Sequence, residues 1–216
     1  MIKLVIFDWD GTLFDSIEVI CNCMILAGKK VGVANRVPND IKEIIGLGLA
    51  EATEKVWPEE SQEKKMQVIE EYKRIFMAGD YDTPLAYHGV MKVLEHLKSQ
   101  GFLMAVATGK SRRGLNRALK ETHTEHYFAA TRCADETKSK PDPLMLQELL
   151  DELGVSVHQA VMVGDTEYDL MMAKAIGMPS VGVSYGAHQK ERLRNCGPLT
   201  VMDDFSKLID VVGNNV

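Results

Sequence analysis

Residues 4–12 of the chain read Leu-Val-Ile-Phe-Asp-Trp-Asp-Gly-Thr. A short run of apolar, mostly branched residues followed directly by acidic residues and glycine predicts a buried strand that ends in a polar turn. Asp8 and Asp10 are two residues apart, so on a regular strand both side chains would face the same way. The stretch therefore predicts two carboxylates at the carboxyl end of a buried strand.

The same unit, a short apolar run followed by a polar turn, recurs along the chain. Further strands are predicted at residues 102–107, 160–163 and Ser180–Val183, and helical patterns lie at Val90–Ser99, 113–121, 143–153 and 168–176. Gly101, Gly154 and Gly177 stand where helix C-caps are expected. Strands that alternate with helices predict an α/β fold with a Rossmann-like, doubly wound parallel sheet.

The segment from residue 17 to residue 82 differs, because it has helical patterns and little strand signal. Helices are predicted at residues 18–29, 40–56 and 61–77. A helical block of this kind predicts a small all-helical cap domain inserted after strand 1. The predicted division is thus a core domain of residues 1–16 and 83–216, and a cap domain of residues 17–82.

Composition excludes several classes of protein. The 216 residues carry a formal net charge of −6, which gives no general attraction for nucleic acid or anionic membranes. The start of the chain has no signal-peptide pattern, and no apolar run reaches the roughly 18 residues that a membrane span needs. We therefore expect a cytoplasmic protein, a monomer or weak homodimer, with free and mostly buried thiols. The four cysteines are Cys21, Cys23, Cys133 and Cys196.

Three of the predicted strands end in polar groups: Asp8 with Asp10, Thr108, and Asp165. In a parallel sheet these groups meet at one edge, and Asp169 would join Asp165 if a helix starts there. Two like charges 4 Å apart cost about 4 kcal/mol at an effective dielectric of 20, so such a cluster needs a cation or protonation. All-oxygen ligands favour Mg²⁺. The alternative is that each aspartate merely caps a helix or turn.

Anion-binding groups belong to the same edge of the sheet. Thr108 and Gly109 lie between a strand and a helix, where a hydroxyl and backbone N–H groups can hold a phosphate oxygen. Lys140 stands on a proline-stiffened turn and could neutralise phosphate charge, or it could be a solvated surface residue. Residues 109–111, Gly-Lys-Ser, are not the end of a P-loop, because Met104 occupies the position where that motif needs glycine.

These motifs resemble the four signature motifs of the haloacid dehalogenase superfamily, in the family's order and over essentially the whole chain. The inserted helices look like the cap of the subgroup that contains phosphoglycolate phosphatases and β-phosphoglucomutases. The motif residues are Asp8-Trp9-Asp10-Gly11-Thr12-Leu13, Thr108, Lys140-Pro141, and Gly164-Asp165 with Asp169.

The resemblance implies a role for each motif residue. Asp8 would be the nucleophile and Asp10 the general acid/base. Phosphate would bind Thr108 and Lys140. Asp8, the backbone carbonyl of Asp10 and Asp165 would hold Mg²⁺, with Asp169 as a supporting carboxylate. Dehalogenation needs neither the second aspartate nor a metal, so Asp10 argues for phosphate chemistry.

The predicted function is hydrolysis of a small phosphorylated metabolite, phosphoglycolate-like or a sugar phosphate, through an aspartyl phosphate. A phosphosugar mutase of the β-phosphoglucomutase type shares every core motif and stays open, as does a non-catalytic binding or regulatory domain on the same fold. Substrate choice should lie in the cap. Gly46-Leu47-Gly48 could let backbone approach a ligand or could simply break a helix, and Arg36 could meet a second anionic group.

Overall fold

The computed structural model describes residues 1–79 and 81–213. A single sheet of six parallel strands has the order β3-β2-β1-β4-β5-β6. In chain order the strands are β1 Leu4–Phe7, β2 Leu103–Thr108, β3 Ala130–Cys133, β4 Ala160–Gly164, β5 Ser180–Val183 and β6 Thr200–Met202. The predicted parallel α/β sheet is confirmed.

Strand β1 lies in the middle of the sheet, and all four of its residues are buried. Val5 and Phe7 belong to one hydrophobic cluster, whereas Leu4 and Ile6 belong to another, because successive side chains of a strand face opposite sides. Both faces of the sheet are therefore covered by helices. Helix α5, Val90–Ser99, precedes β2, and one further helix follows each of β2 to β6: α6 Arg112–Thr122, α7 Leu144–Leu153, α8 Glu167–Ala175, α9 Lys190–Asn195 and α10 Leu208–Gly213.

Four helices lie between β1 and α5 in the sequence: α1 Ile17–Val31, α2 Pro38–Lys42, α3 Leu49–Val56 and α4 Gln62–Ala78. Their buried side chains form a third hydrophobic cluster, which includes Met24, Ile41, Trp57 and Val68. We call these four helices the cap and propose that they form a domain. The predicted boundaries 17–82 and 83–216 include residues 80 and 214–216, which lie outside the described residues.

The cap differs from the sequence prediction at one point. Residues 40–56 were predicted as one helix, but α2 ends at Lys42 and α3 begins at Leu49. Gly46 has a φ of +97°, a conformation that glycine adopts at low cost and that an α-helix cannot contain. The intervening turn brings the backbone of residues 46–48 to the core.

Two further predictions concern the environment of the chain. All four cysteines are free thiols; Cys196 is half-buried and the other three are buried, as predicted. Among the described residues, no helix is both long and apolar enough to cross a membrane.

Candidate active site

Asp8 directly follows β1 and is 1% exposed. Neither of its carboxylate oxygens accepts a well-aligned hydrogen bond among the described residues, although Lys140 Nζ lies 2.8 Å from Oδ1. Burial raises the pKa of Asp8 to about 7; Lys140 opposes this shift and the Asp169 carboxylate adds to it. Oδ1 of Asp8 is thus paired with Lys140, and Oδ2 is free for a cation or for attack on a substrate.

Asp165 follows β4 and, unlike Asp8, has a partner for each oxygen. Oδ1 accepts a hydrogen bond from Thr12 Oγ1 at 2.8 Å, and Oδ2 accepts one from the Ala187 N–H at 2.7 Å. A Cβ atom at Gly11 or at Gly186 would lie 2.2 Å from an Asp165 side-chain atom, so glycine is required at both positions. Burial and the neighbouring carboxylates raise the pKa of Asp165 well above its ordinary value.

Asp169 lies in the first turn of α8 and forms a capping box with Thr166. Its Oδ2 accepts hydrogen bonds from the Thr166 N–H and hydroxyl, and its Oδ1 accepts one from Lys140 Nζ at 2.6 Å. Lys140 is thus held between Asp169 and Asp8. Burial alone would lower the pKa of Lys140, but these two carboxylates outweigh it and raise that pKa. A charged Lys140 is fully buried because it is paired twice.

Three carboxylates meet closely enough to share a metal ion. Asp8, Asp165 and Asp169 each offer one oxygen, and these three atoms lie within 4.8 Å of one another. If all three aspartates are ionised, they carry three negative charges, and the contacting Lys140 carries one positive charge. One divalent cation would balance the remaining two negative charges. Oxygen ligands, among them the unpartnered Oδ2 of Asp8, fit Mg²⁺. The expected ligands Asp8 and Asp165 are therefore adjacent.

The Asp10 carboxylate does not join this cluster. Its Oδ1 lies 2.9 Å from Lys110 Nζ and accepts a hydrogen bond from the Ser16 hydroxyl. The hydrogen bonds of this turn use the Trp9 carbonyl and the Gly11 N–H, so they do not occupy the Asp10 carbonyl. The geometry leaves room for both roles that the resemblance implies for Asp10, a side-chain acid/base and a backbone ligand. Both roles remain predictions.

Thr108 is the last residue of β2 and is fully buried. Its hydroxyl accepts a hydrogen bond from the Lys110 N–H at 3.2 Å. Gly109 then packs directly against the cap, because a Cβ atom at Gly109 would lie 2.7 Å from the Gly46 carbonyl oxygen and 2.6 Å from that of Leu47. The structure thus brings the predicted phosphate-binding turn together with the predicted cap segment 46–48.

A cleft between the cap and the carboxyl edge of the sheet contains this turn. Its volume is about 80 Å³, and Asp8, Asp10, Gly109 and Lys110 line its core side. Arg36 does not reach it: its side chain donates to the Val56 carbonyl and pairs with Glu59. The suggestion that Arg36 meets a substrate anion is not supported, because its guanidinium group is already used within the cap.

Sequence reasoning missed three residues of the site as separate contributors. Thr12 lies in the first motif, but its hydrogen bond to Asp165 forms only because the turn after β1 contacts the turn after β4. Ala187 supports Asp165 from a loop that has no recognisable motif. Lys110 belongs to residues 109–111, Gly-Lys-Ser, which are not the end of a P-loop because no glycine-rich loop precedes them. Its position directly after a predicted strand could nevertheless have indicated that it belongs to the site.

A parallel sheet with buried aspartates at its carboxyl edge places the protein among the α/β proteins that bind ligands at this edge. The haloacid dehalogenase-like hydrolase family model matches residues 5–183, and the chain belongs to that family. "Probable phosphatase IndB" of Dickeya dadantii is 32% identical, over 97% of this chain and 93% of its own length.

Two further comparisons agree with this assignment. The phosphoglycolate phosphatase of Vibrio cholerae is 30% identical, over 98% of this chain and 97% of its own length. The crystal structure of a predicted phosphatase from Clostridium acetobutylicum superimposes with a TM-score of 0.89 at 26% identity, covering 99% of each chain. The enzyme class is phosphoric monoester hydrolase, as the sequence predicted, and the non-catalytic alternative is not favoured.

Proposed function

We propose that the protein is a magnesium-dependent phosphatase that hydrolyses a small phosphomonoester through an aspartyl phosphate on Asp8. The observation that carries the proposal is the contrast among the buried carboxylates. Asp165 and Asp169 are held by hydrogen bonds to both oxygens, whereas Asp8 has none that is well aligned. A nucleophile needs an unshared oxygen that neighbouring groups have not saturated.

The remaining residues act around Asp8. An Asp8 oxygen attacks phosphorus while the ester P–O bond breaks, and Asp10 gives its proton to the departing alkoxide oxygen. Asp10 then takes a proton from the water that attacks the aspartyl phosphate, which returns Asp8 and releases phosphate. Lys140, Thr108 and the Gly109 N–H balance charge on the transferred oxygens. Bound Mg²⁺, held by Asp8, the Asp10 carbonyl and Asp165, would supply further charge neutralisation.

The substrate we propose is a small phosphorylated metabolite of the cytoplasm, of the phosphoglycolate type suggested by the relatives. Free, buried thiols are consistent with a reducing compartment. A mutase would have to hold a second phosphate in its cap. Among the described residues that line the cleft, the cap contributes one cationic side chain, Lys73. Lys73 is 48% exposed and paired with Glu70. This arrangement favours the phosphatase.

The first test is phosphate release from a panel of phosphorylated metabolites with Mg²⁺, after EDTA treatment, and with Asp8→Asn. Activity should disappear with EDTA, return with Mg²⁺ and return poorly with Ca²⁺, which prefers more ligands and looser geometry. Asp8→Asn should be folded and inactive on every substrate. Full turnover by rigorously metal-free enzyme, or by Asp8→Asn, would refute the proposal.

The second test separates Asp10 from Asp8. An alkoxide needs a proton to leave, whereas p-nitrophenolate does not. Asp10→Asn should therefore lose far more of the phosphorylation step with an alkyl phosphate than with p-nitrophenyl phosphate. With the activated ester it should release a burst of nitrophenolate and accumulate phosphoenzyme, which rapid mixing would detect. Equal losses on both substrates without a burst would remove Asp10 from the acid/base role.

A further inference from the structure

The turn of residues 46–48, which we call the cap turn, touches the backbone that carries Lys140. The Gly48 N–H donates a hydrogen bond to Ser139 Oγ at 2.7 Å, and Ser139 directly precedes Lys140 in the chain. The Ser139 hydroxyl in turn donates to the Lys140 carbonyl at 3.3 Å. A single serine side chain therefore joins the backbone of the cap to the backbone of Lys140.

The cap turn also packs against the group that holds the ammonium end of Lys140. A Cβ atom at Gly46 would lie 3.0 Å from Thr166 Oγ1. The same hydroxyl donates to Asp169 Oδ2 at 2.7 Å, and Asp169 Oδ1 accepts a hydrogen bond from Lys140 Nζ at 2.6 Å. The neighbours that hold the two ends of Lys140, its backbone and its ammonium group, are thus both in contact with the cap turn.

Burial makes these contacts important for the position of Lys140. Its side chain has no exposed surface, so water cannot replace a partner that moves away. Gly48 is buried as well, and its N–H would lose its acceptor if the cap turn separated from Ser139. Displacing a catalytic group by about 1 Å can reduce the rate by roughly 10²-fold. A small shift of the cap turn would therefore affect the reaction through Lys140.

We propose that Ser139 is a positioning residue that makes the placement of Lys140 depend on the cap. The proposal rests on the phosphatase function proposed above, because it concerns the charge that Lys140 supplies to the transferred phosphoryl oxygens. The Gly48 N–H occupies a lone pair of the Ser139 hydroxyl and so directs its hydrogen to the Lys140 carbonyl. Because such coupling is reciprocal, a phosphoryl group bound to Lys140 also favours the cap position that the structure shows.

The test removes the Ser139 hydroxyl and measures kcat and KM separately, with p-nitrophenyl phosphate and Mg²⁺. Ser139→Ala should lower kcat by about tenfold, because the buried N–H of the cap turn is left without its acceptor. KM should change by less than about twofold, since Lys140 acts mainly on charge that develops in the transition state. Ser139→Thr keeps the hydroxyl and should retain most of the wild-type kcat.

Thr137→Val is the matched control from the same loop. The Thr137 hydroxyl donates to the Lys138 carbonyl at 3.2 Å and to the Cys133 carbonyl at 3.5 Å. These bonds stay within the loop, so removing them should leave both kcat and KM unchanged. A loss of kcat in Thr137→Val equal to that in Ser139→Ala would overturn the specific role of Ser139.

A double-variant cycle tests whether Ser139 acts through the cap turn. The methyl group added by Gly109→Ala would lie 2.6 Å from the Leu47 carbonyl oxygen and would displace the same turn. The double variant should therefore be little worse than the weaker of the two single variants, because the first change already breaks the Gly48 contact. Multiplicative losses in kcat would overturn the proposal.

Three further results would also overturn the proposal: a wild-type kcat in Ser139→Ala, an effect on KM alone, or equal losses in Ser139→Ala and Ser139→Thr. Each of these leaves the phosphatase function intact, because the wild-type enzyme still turns over. A wild-type enzyme that releases no phosphate from p-nitrophenyl phosphate or from the metabolite panel would instead refute the phosphatase function, and this proposal with it.

Discussion

At the scale of single residues, the fully buried Lys140 shows how the site is held together. It lies 2.8 Å from Asp8 and 2.6 Å from Asp169, with no exposed side-chain surface. The sequence left open whether Lys140 was a solvated turn residue, because its position beside the sheet edge depends on where the turn folds. A lysine without this pair of carboxylates would not remain charged in such a place.

Lys140→Ala should therefore lose stability as well as activity. Removing one partner of a buried ion pair leaves uncompensated charge and costs about 3–5 kcal/mol, here with two carboxylates left close together. Urea denaturation and phosphate release would measure the two effects. Lys138→Ala is the matched control, because Lys138 is 69% exposed and pairs loosely with Asp142. A Lys140→Ala protein as stable as wild type would contradict the buried pair.

The pKa of about 7 for Asp8 predicts opposite pH effects on the metal-free enzyme and on metal binding. A carboxyl group whose folded pKa is raised above 3.8 contributes stability below that ordinary value, and the contribution is lost as the pH rises through about 7. Metal-free protein should therefore melt at progressively lower temperature across this window.

Mg²⁺ competes with the Asp8 proton, so its affinity should weaken as the pH falls below about 7. Calorimetric titration with Mg²⁺ at several pH values would measure this effect, and thermal melting with and without EDTA would measure the first. Asp8→Asn should remove the Asp8 contribution to both dependences and leave that of Asp165, whose pKa is also raised. The decisive range is roughly pH 6 to pH 8, around the Asp8 pKa of about 7. If the Mg²⁺ affinity of the wild type did not change over this range, the raised pKa of Asp8 would be contradicted.

At the scale of elements, the turn between α2 and α3 connects the cap to the core. Gly48 donates its N–H to Ser139 Oγ at 2.7 Å, and the Gly46 and Leu47 carbonyls contact Gly109. The sequence identified the three cap residues 46–48 but not this contact, because glycine signals a permissive backbone and not the surface that backbone will meet. Residues 46–48 are brought close to the predicted phosphate-binding turn only by the folding of the chain.

Gly109→Ala should impair activity by preventing this contact. The added methyl group would lie 2.6 Å from the Leu47 carbonyl oxygen, so the cap must move away from the site, and a displacement of this kind can reduce kcat/KM by roughly 10²-fold. Steady-state kinetics would measure the loss, and circular dichroism would check the fold. Gly213→Ala is the control, since no atom of the described residues lies within 4 Å of its added Cβ. Unchanged kinetics would show that catalysis does not require this contact.

The elements that the sequence missed are short and marginal. Strands β3 and β6 stand at the two edges of the sheet and have four and three residues. An edge strand pairs with a neighbour on one side only and is less buried, so its sequence need not be a continuous apolar run. Such a run is what allowed β1 and β4 to be predicted. Thr131 and Arg132, in the middle of β3, are only half-buried. Central strands and their terminal aspartates were predictable because burial on both faces restricts their composition.

At the scale of the whole molecule, a group of polar contacts around Arg192 and Tyr168 joins cap and core. Arg192 pairs with Glu167 of the core at 2.5 Å and with Glu43 of the cap. The Tyr168 hydroxyl donates to the Glu43 carbonyl at 2.7 Å and accepts a hydrogen bond from Lys55 at 3.2 Å. These contacts hold the cap against the core in the position that the structure shows.

Arg192→Gln should shift the cap toward open positions. Partly exposed ion pairs contribute about 0.2–1 kcal/mol each, so KM should rise by roughly twofold to fivefold, and high salt should mimic the variant. Limited proteolysis in the cap linkers and steady-state kinetics would measure these changes. Arg194→Gln is the control, because Arg194 lies on the same helix and is 59% exposed with only a 3.8 Å pair. Identical effects in both variants would rule out a specific role for Arg192.

The central position of β1 also affects how the protein is made. Its partners β2 and β4 begin about 100 and 160 residues along the chain, at Leu103 and Ala160, so the first strand leaves the ribosome long before either neighbour exists. The cap helices depend mainly on one another and can collapse earlier. A nascent chain therefore carries Asp8 on an unpaired apolar segment until translation has passed β2, Leu103–Thr108, and one side of β1 stays unpaired until β4 follows. A chaperone that binds short apolar segments would have its longest opportunity at residues 4–7.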